Sequence, residues 1–329
     1  MPMLKILYAA SNSENSKIQL SRFLTAIKDK PYIIKIAAYK QSSPRDVSID
    51  WTLDSLKNIF KPELISLDND NFITYYEQVK YFNPDLVISD LEYYTSYIAN
   101  DLDIALWQCS SSLINYAVTN QDKSNVGFTT QYWYLLRKET RPQRIVNIID
   151  NSNYNFVYSH FGDLNNPPSL KDNYEWIRPY HKIGKEYAPC RHNIVAGLLK
   201  SNKKIFYLLK KYPDSVAFSD FSDENYSNLL VKDISNFEEY TCNLSNSNLF
   251  VCEGQTSFLA DAFYNNKYSV VMVNFKDTEC VLNSLFSEKF QLSHTIYDSD
   301  EDLTPYIKVP ILGNYNSNVK YLHERLEEI

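Results

Sequence analysis

Short apolar runs alternate with segments of helical periodicity along most of this chain, and this alternation constrains the fold more than any other feature. The runs of the first half, which have the composition of buried parallel strands, are LKILYAA (4–10), YIIKIAAY (32–39), PDLVISD (84–90) and IALWQCS (104–110). A second series consists of NIVAG (193–197), SVAFSDF (215–221), NLLVKDI (228–234), LFVCEG (249–254) and YSVVMVNF (268–275). The sequence therefore predicts an α/β fold of two Rossmann-like, doubly wound domains that face a central cleft.

A linker-like stretch, GDLNNPPSLKDN (162–173), separates the two series, since its Gly, Pro, Asn and Asp content favours turns. We expect an N-terminal domain over residues 1–165 and a C-terminal domain over residues 166–310. The segment NVKYLHERLEEI is expected to form a C-terminal helix, within residues 311–329, that crosses back to the first domain.

The composition is that of an ordinary globular protein and limits the possible partners. The 33 basic and 40 acidic residues give a net charge of −7, which argues against a general polyanion-coating protein. The five cysteines are far apart without a CxxC pair, so we expect neither a disulfide framework nor a zinc site. No apolar run approaches the roughly 18–20 residues of a membrane span. We expect a protein of the reducing cytoplasm.

The stretch VCEGQTSFLADAFYNNK (251–267) contains a turn suited to a phosphate group. A strand ends at Gly254 and a helix begins just after it, so the unpaired first-turn amides carry positive partial charge. Gly254 allows close backbone approach, Thr256 and Ser257 can donate hydroxyl hydrogen bonds, and Asp261 can reach a ribose diol one turn further on. The alternative is that Thr256 or Ser257 is only a helix N-cap and Asp261 a solvated residue.

Two segments resemble the GT-B glycosyltransferases. PDLVISDLEYYTSYIAN (84–100) and the run from LFVCEG to SEKF (249–290) are similar to the small two-domain enzymes of this group. That branch includes the bacterial lipid II-forming N-acetylglucosaminyltransferase and the macrolide and UDP-glucuronosyl transferases. The resemblance implies the GT-B fold, with an acceptor-binding first domain and a donor-binding second domain. It also implies a nucleotide-sugar donor, such as a UDP-sugar, with inverting transfer and no cofactor or metal.

The resemblance assigns donor-binding roles residue by residue. Gly254 and Gln255 stand where relatives keep a glycine pair, so the second glycine is replaced. Ser257 matches the hydroxyl residue of the family's turn, and Asp261 matches the acid that holds the donor ribose. Glu279, Cys280 and Asn283 match residues near the donor sugar, and the backbone around Ile234 matches the segment that pairs with the donor base.

The first half departs further from the family. Relatives carry a histidine in a Gly-rich loop after the first strand, and Lys17 stands in its place. Inverting transfer needs a general base, and the carboxylates expected at the cleft are Asp90 and Glu14. The alternatives are that Asp90 is the N-cap of the next helix and that Glu14 is a solvated loop charge. Ser13 and Lys17 are expected to contact phosphate or the acceptor.

Charge distribution gives the one indication of the acceptor. Residues 171–211 contain ten Lys or Arg against three acids, a balance of +7, interleaved with tyrosine and tryptophan. Candidate phosphate or acceptor contacts there are Arg178, Lys182, Lys185 and Arg191. The hypothesis is a hydroxymethylated base in double-stranded phage DNA, flipped out of the stack by an enzyme of the host cytoplasm. The alternative is that these cations decorate an exposed helix face and that the aromatics pack in the core.

Other functions stay open at this point. The acceptor can be a glycan, a lipid or a small molecule, and the same two-domain build serves nucleotide-sugar epimerases. The missing second glycine and the absent histidine also fit a non-catalytic sugar-nucleotide binding module. The sequence leaves the oligomeric state undetermined.

Overall fold

The computed structural model describes residues 3–11, 14–39, 63–67, 72–128, 142–181, 192–198, 203–219, 229–234, 237–309, 311 and 319–329. Within these residues the strands form two sheets, one of seven and one of six strands. None of the helices in the described segments has the length and apolar character needed to cross a membrane.

The first sheet has the strand order β3-β2-β1-β4-β5-β6-β7, with all neighbours parallel. Its strands are β1 (Lys5–Ala9), β2 (Ile33–Tyr39), β3 (Glu63–Leu67), β4 (Leu86–Ser89), β5 (Ala105–Ser110), β6 (Tyr154–Tyr158) and β7 (Tyr174–Ile177). The α-helices between them are α1 (Glu14–Ile27), α2 (Phe72–Phe82), α3 (Tyr93–Asp101), α4 (Ile114–Ala117), α5 (Asn120–Asn125) and α6 (Pro142–Asp150).

The second sheet has the strand order β10-β9-β8-β11-β12-β13 and is also wholly parallel. Its strands are β8 (Ile194–Leu198), β9 (Ser215–Ser219), β10 (Leu230–Asp233), β11 (Leu249–Cys252), β12 (Ser269–Met272) and β13 (Ser293–Ile296). Its α-helices are α7 (Lys203–Leu209), α8 (Phe237–Asn246), α9 (Thr256–Tyr264) and α10 (Thr278–Lys289).

Both sheets follow the doubly wound order in which the third, second and first strands precede the fourth, fifth and sixth. The buried strand residues explain this arrangement, since strands covered by helices on both faces need apolar side chains on both faces. Every residue of β4, β8 and β11 is buried. The predicted α/β fold of two Rossmann-like domains is confirmed.

The first sheet extends past residue 165, where we expected the first domain to end. β7 pairs in parallel with β6, from Asn155 beside Tyr174 to Tyr158 beside Ile177. The chain also returns to this domain at its last helix, α11 (Leu322–Leu326). Leu322 and Leu326 are buried in the same apolar cluster as Ile177.

A continuous apolar core joins the two domains. Leu113, Ile114 and Phe161 of the first domain lie in one buried cluster with Val281 and Phe286 of α10. Since separating the domains would expose these side chains to water, the hydrophobic effect holds the two sheets in one arrangement.

Candidate functional site

The strand-to-helix turn after β11 is packed tightly against α10. Gly254 has a φ of +95°, a backbone conformation that residues with a Cβ rarely adopt. A Cβ at this position would lie 2.8 Å from both the carbonyl oxygen of Cys280 and Oγ of Ser284. The close backbone approach that the sequence predicted at Gly254 is therefore an approach to α10.

The N-cap of α9 is Gln255, and its side chain makes no capping hydrogen bond. Oγ1 of Thr256 instead donates to Oε1 of Glu279 at 2.9 Å. The alternative in which Thr256 or Ser257 serves only as the N-cap is therefore wrong. Because no side chain at the cap position satisfies the first-turn amides, this end of α9 keeps the character of an anion site.

Two buried amide side chains flank the turn. Nε2 of Gln255 donates to Oε2 of Glu253 at 2.8 Å, and Nδ2 of Asn283 donates to the Gly254 carbonyl at 3.0 Å. Gln255 is 5% exposed and Asn283 is fully buried, yet Oε1 of Gln255 and Oδ1 of Asn283 have no hydrogen-bond partner in the described part of the chain. Buried amide oxygens are normally satisfied, so these two atoms indicate a place for hydroxyl donors from a ligand or from water.

Glu279 ties the turn to the first domain. Its Oε2 accepts hydrogen bonds from Oγ of Ser111 at 3.0 Å and from Oγ of Ser112 at 2.7 Å, both just after β5. Burial, with a smaller contribution from the charge of Asp277, raises the pKa of Glu279 to about 7. The residue that the resemblance placed near the donor sugar is therefore also a contact between the domains.

Asp261 is 1% exposed and forms an ion pair with Arg22 of α1, with 2.6 Å between Oδ2 and Nη2. Nη1 of Arg22 also donates to the Ser257 carbonyl at 3.3 Å. Burial raises the pKa of Asp261, while the Arg22 guanidinium opposes that rise. The alternative of a solvated Asp261 is wrong, because this carboxylate lies inside the domain interface.

Asp90 directly follows β4, at the carboxyl edge of the first sheet, and is 4% exposed. Oγ of Ser11 donates to its Oδ2 at 3.1 Å, and Ser16 and Ser110 also hydrogen-bond to it. Burial raises the pKa of Asp90, so its carboxylate takes up a proton more readily than an exposed carboxylate does.

The next helix does not use Asp90 as its cap. The N-cap of α3 is Glu92, whose carboxylate accepts from the amides of Tyr94 and Thr95 at 3.0 and 2.6 Å. The N-cap alternative for Asp90 is therefore wrong. Asp90 and Glu279 are hydrogen-bonded to consecutive residues at the end of β5, since Ser110 contacts Asp90 and Ser111 contacts Glu279.

Two further candidate residues, Ile234 and Arg178, are already hydrogen-bonded within the protein. Ile234, just after β10, is 7% exposed and its amide donates to the Ser219 carbonyl at 3.0 Å. Arg178 does not face solvent as a phosphate ligand would. Its Nε and Nη2 instead hold Asp163 at 2.9–3.2 Å, and Asp163 also accepts from the Tyr264 hydroxyl of α9.

Several predicted contacts cannot be placed. Ser13, Lys182, Lys185 and Arg191 lie outside the described residues. Glu14 begins α1 and Lys17 lies on it, but their side chains are outside the description as well. Their roles stay predictions. In the described segments no three His, Cys, Asp or Glu side chains are grouped so as to hold a metal ion.

The two doubly wound sheets, with a helix N-terminus at the shared edge, define the GT-B fold. No protein-family model and no curated protein matches the sequence. Solved structures do match, and GT-B glycosyltransferases are among them. A calicheamicin glycosyltransferase aligns at a TM-score of 0.59 and 11% identity, covering 90% of this chain and 86% of that one.

Two further structures show the same similarity. The spinosyn forosaminyltransferase aligns at a TM-score of 0.56 and 12% identity, over 90% of this chain and 88% of that chain. MurG of Acinetobacter baumannii aligns at 0.56 and 10% identity, over 92% and 88%. At these identities the comparisons establish the fold, and the GT-B fold expected from the sequence is confirmed.

Arg22→Met is expected to destabilise the protein by about 3–5 kcal/mol, because it leaves the Asp261 carboxylate buried without its partner. The double variant Arg22→Met/Asp261→Leu should recover much of this loss. Chemical denaturation of the two single variants and the double variant measures the coupling. As a control, Lys211→Met breaks the exposed pair with Asp300 and should cost less than about 1 kcal/mol. Additive effects of Arg22→Met and Asp261→Leu would contradict the coupling.

Glu279 should make the folded state less stable as the pH rises towards 7 and above. Its pKa is about 7 in the folded protein and ordinarily 4.5, so the folded state keeps a proton that the unfolded state releases in this window. Its contribution is therefore fully present below pH 4.5 and lost as the pH rises through 7. Relative to wild type, Glu279→Gln should gain up to about 3 kcal/mol between pH 4.5 and 8. Parallel pH profiles of the two unfolding free energies would show that Glu279 ionises normally.

Proposed function

We propose that this chain is a glycosyltransferase that moves a sugar from a nucleotide diphosphate sugar, with a UDP-sugar as the donor, to a hydroxyl acceptor. One observation carries the proposal. The amide oxygens of Gln255 and Asn283, which have no hydrogen-bond partner among the described residues, lie beside a helix N-terminus whose cap makes no side-chain hydrogen bond. A diphosphate suits the helix terminus, and sugar hydroxyls suit the amide oxygens.

The donor-binding roles follow from this arrangement. Gly254, Gln255, Thr256 and Ser257 form the diphosphate turn, and Glu279 and Asn283 adjoin the sugar. Arg22 places a cation at the same turn, through its contact with the Ser257 carbonyl. Asp261 is proposed to hold the ribose. Arg22 contacts its Oδ2, and a carboxylate has lone pairs enough to accept from a ribose hydroxyl as well.

The nucleobase of the donor would pair with the backbone near Ile234. The Ile234 amide already donates to the Ser219 carbonyl, so the group proposed for recognition is the Ile234 carbonyl.

For the chemical step we propose inverting transfer with Asp90 as the general base. An inverting transferase needs one base on the acceptor side and stabilisation of the departing diphosphate on the donor side. Asp90 is at the carboxyl edge of the first sheet, and the donor turn is in the second domain. The pKa of Asp90 is raised by burial, so the carboxylate is a stronger base than an exposed one. Glu14, at the start of α1, remains the second candidate base.

For the acceptor we propose a hydroxymethylated base in double-stranded DNA. The support is the basic and aromatic composition of residues 171–211. Arg178 is already paired with Asp163, so the proposal depends on Lys182, Lys185 and Arg191. A glycan, lipid or small-molecule acceptor is the alternative. We place the enzyme in the cytoplasm, that of the host if it is phage-encoded, because the five cysteines are far apart in the sequence without a CxxC pair.

Donor binding is tested by a thermal-shift panel of nucleotide diphosphates and UDP-sugars. A donor at about 100 times its dissociation constant should stabilise the folded state by about 2.7 kcal/mol. Gln255→Leu and Asn283→Leu each remove a polar partner and should weaken UDP-sugar binding by about tenfold or more. Gln121→Leu, on the exposed surface of α5, is the matched control and should bind normally. An absence of any shift across the panel would refute the donor site.

Turnover then separates the functions that share this fold. Hydrolysis or transfer from the bound UDP-sugar is followed with duplex DNA containing hydroxymethylated bases, with the same unmodified duplex, and without acceptor. A transferase needs an acceptor, an epimerase alters the donor without one, and a binding module does neither. Asp90→Asn should lower transfer by about 10²–10⁴-fold while UDP-sugar binding is kept. Transfer only to glycans, lipids or small molecules would overturn the DNA acceptor alone.

A further inference from the structure

We propose that Gln108 of β5 is a positioning residue for Asp90, which it holds in place through the backbone of Leu91. The inference rests on the proposed role of Asp90 as the general base. Two features of the first domain support it. One is a left-handed residue directly after Asp90, and the other is a buried side-chain amide that holds this residue.

Leu91, the residue directly after Asp90, has a φ of +52°. A left-handed backbone is uncommon for residues with a Cβ and is tolerated best by Asn and Asp. Among the residues that the structure describes, seven other than glycine have a positive φ, and Leu91 is the one with an apolar side chain. The other six are Asn83, Asp103, Asn173, Asn266, Gln291 and Lys308. Four of these six follow the ends of helices, where this conformation is a common terminator. Leu91 instead precedes α3, so its conformation has another cause.

Gln108 supplies this cause. The amide of Asp90 still donates to the Ala9 carbonyl of β1 at 2.9 Å, as in a continuing sheet. The next amide, that of Leu91, donates to Oε1 of Gln108 at 3.2 Å instead. Because a backbone amide can only donate, the side-chain atom that faces Leu91 is the oxygen. This hydrogen bond holds Leu91 in the left-handed conformation, which persists only where the surroundings fix it.

The side chain of Gln108 is itself fixed at its other end. Its Nε2 donates to Oγ of Ser96 on α3 at 2.9 Å, and this Oγ donates to the Glu92 carbonyl at 2.6 Å. Gln108 and Ser96 are both fully buried. Turning the amide over would place Nε2 against the Leu91 N–H, so the side chain has one satisfied orientation. Leu91 is therefore anchored to β5 and, through Ser96, to α3.

The position of the Asp90 carboxylate depends on this anchor. Asp90 and Leu91 share one rigid peptide unit, so a change of backbone conformation at Leu91 would rotate that unit and move the Asp90 side chain. Asp90 accepts from Ser11 at 3.1 Å, and a shift of about 1 Å would break this hydrogen bond. A general base must lie within hydrogen-bond reach of the proton that it takes, so a small displacement of the carboxylate would lower the rate.

Gln108→Met keeps the length of the side chain and removes both hydrogen bonds. The turnover number for sugar transfer should fall at least about tenfold, while KM for the UDP-sugar is unchanged because the donor turn lies in the second domain. Leu91→Gly should stay within about threefold of wild type, since glycine adopts a left-handed backbone without help. In the Leu91→Gly background, Gln108→Met should then have less than about a threefold effect. Gln291→Gly, at a left-handed residue after α10, is the control and should behave as wild type does.

The glycine background separates positioning from packing. If Gln108 only filled space in the core, Gln108→Met would be equally harmful with and without Leu91→Gly, and this result would overturn the proposal. Unchanged turnover in Gln108→Met would overturn it as well. Circular dichroism establishes that each variant is folded.

Carbon-13 NMR titration of the Asp90 carboxyl group tests the positioning role without turnover, with the signal assigned by its absence in Asp90→Asn. Burial raises the pKa of Asp90, so a carboxylate released towards water in Gln108→Met should titrate at a lower pH, nearer its ordinary value. Adding Leu91→Gly should return the pKa towards that of wild type. Identical titration of Asp90 in wild type and Gln108→Met would refute the role of Gln108.

The NMR titration also separates this inference from the proposed function. If the wild type transfers no sugar but the Asp90 titration shifts as expected, the proposed function fails and the positioning of Asp90 by Gln108 stands. If transfer is observed but neither turnover nor titration responds to Gln108→Met, the proposed function stands and the positioning role fails.

Discussion

The ion pair between Arg22 and Asp261 constrains how the two domains pack against each other. Both side chains are almost fully buried, and neither charge would be stable in the interface without the other. Arg22 also contacts the first turn of α9 through the Ser257 carbonyl and lies over the ring of Phe237 at 5.2 Å. One guanidinium therefore fixes α1, α8 and α9 relative to one another, and the turn after β11 takes its place from that constraint.

Around this ion pair, polar side chains form hydrogen bonds across the domain interface. The Glu279 carboxylate accepts from serines of the first domain and a threonine of the second. Asp163 of the first domain accepts from Tyr264 of the second. Together with the apolar cluster around Phe286, these contacts make the candidate site a product of both domains.

The sequence indicated many of the elements, although β3, β7 and β13 were not among the predicted strands, and it was insufficient for the contacts between elements. Strands such as β4 and β11 could be predicted because apolar composition and flanking turn residues are local properties of the sequence. The turn at Gly254 was also found, since a strand, a glycine and a helix occur in sequence. Arg22 gave no signal, because its partner is 239 positions away and an arginine on an amphipathic helix normally faces water. The serine partners of Glu279 were missed for the same reason, at separations of 167 and 168.

The position of α11 determines how the chain would respond to a mechanical load. β7 belongs to the first sheet, the second domain follows it, and Leu322 and Leu326 then return to the first domain's core. The second domain is thus an insertion whose two ends are both anchored on its neighbour. A pulling force applied at the two chain termini would load the first domain directly, and the second domain would stay shielded until α11 had detached.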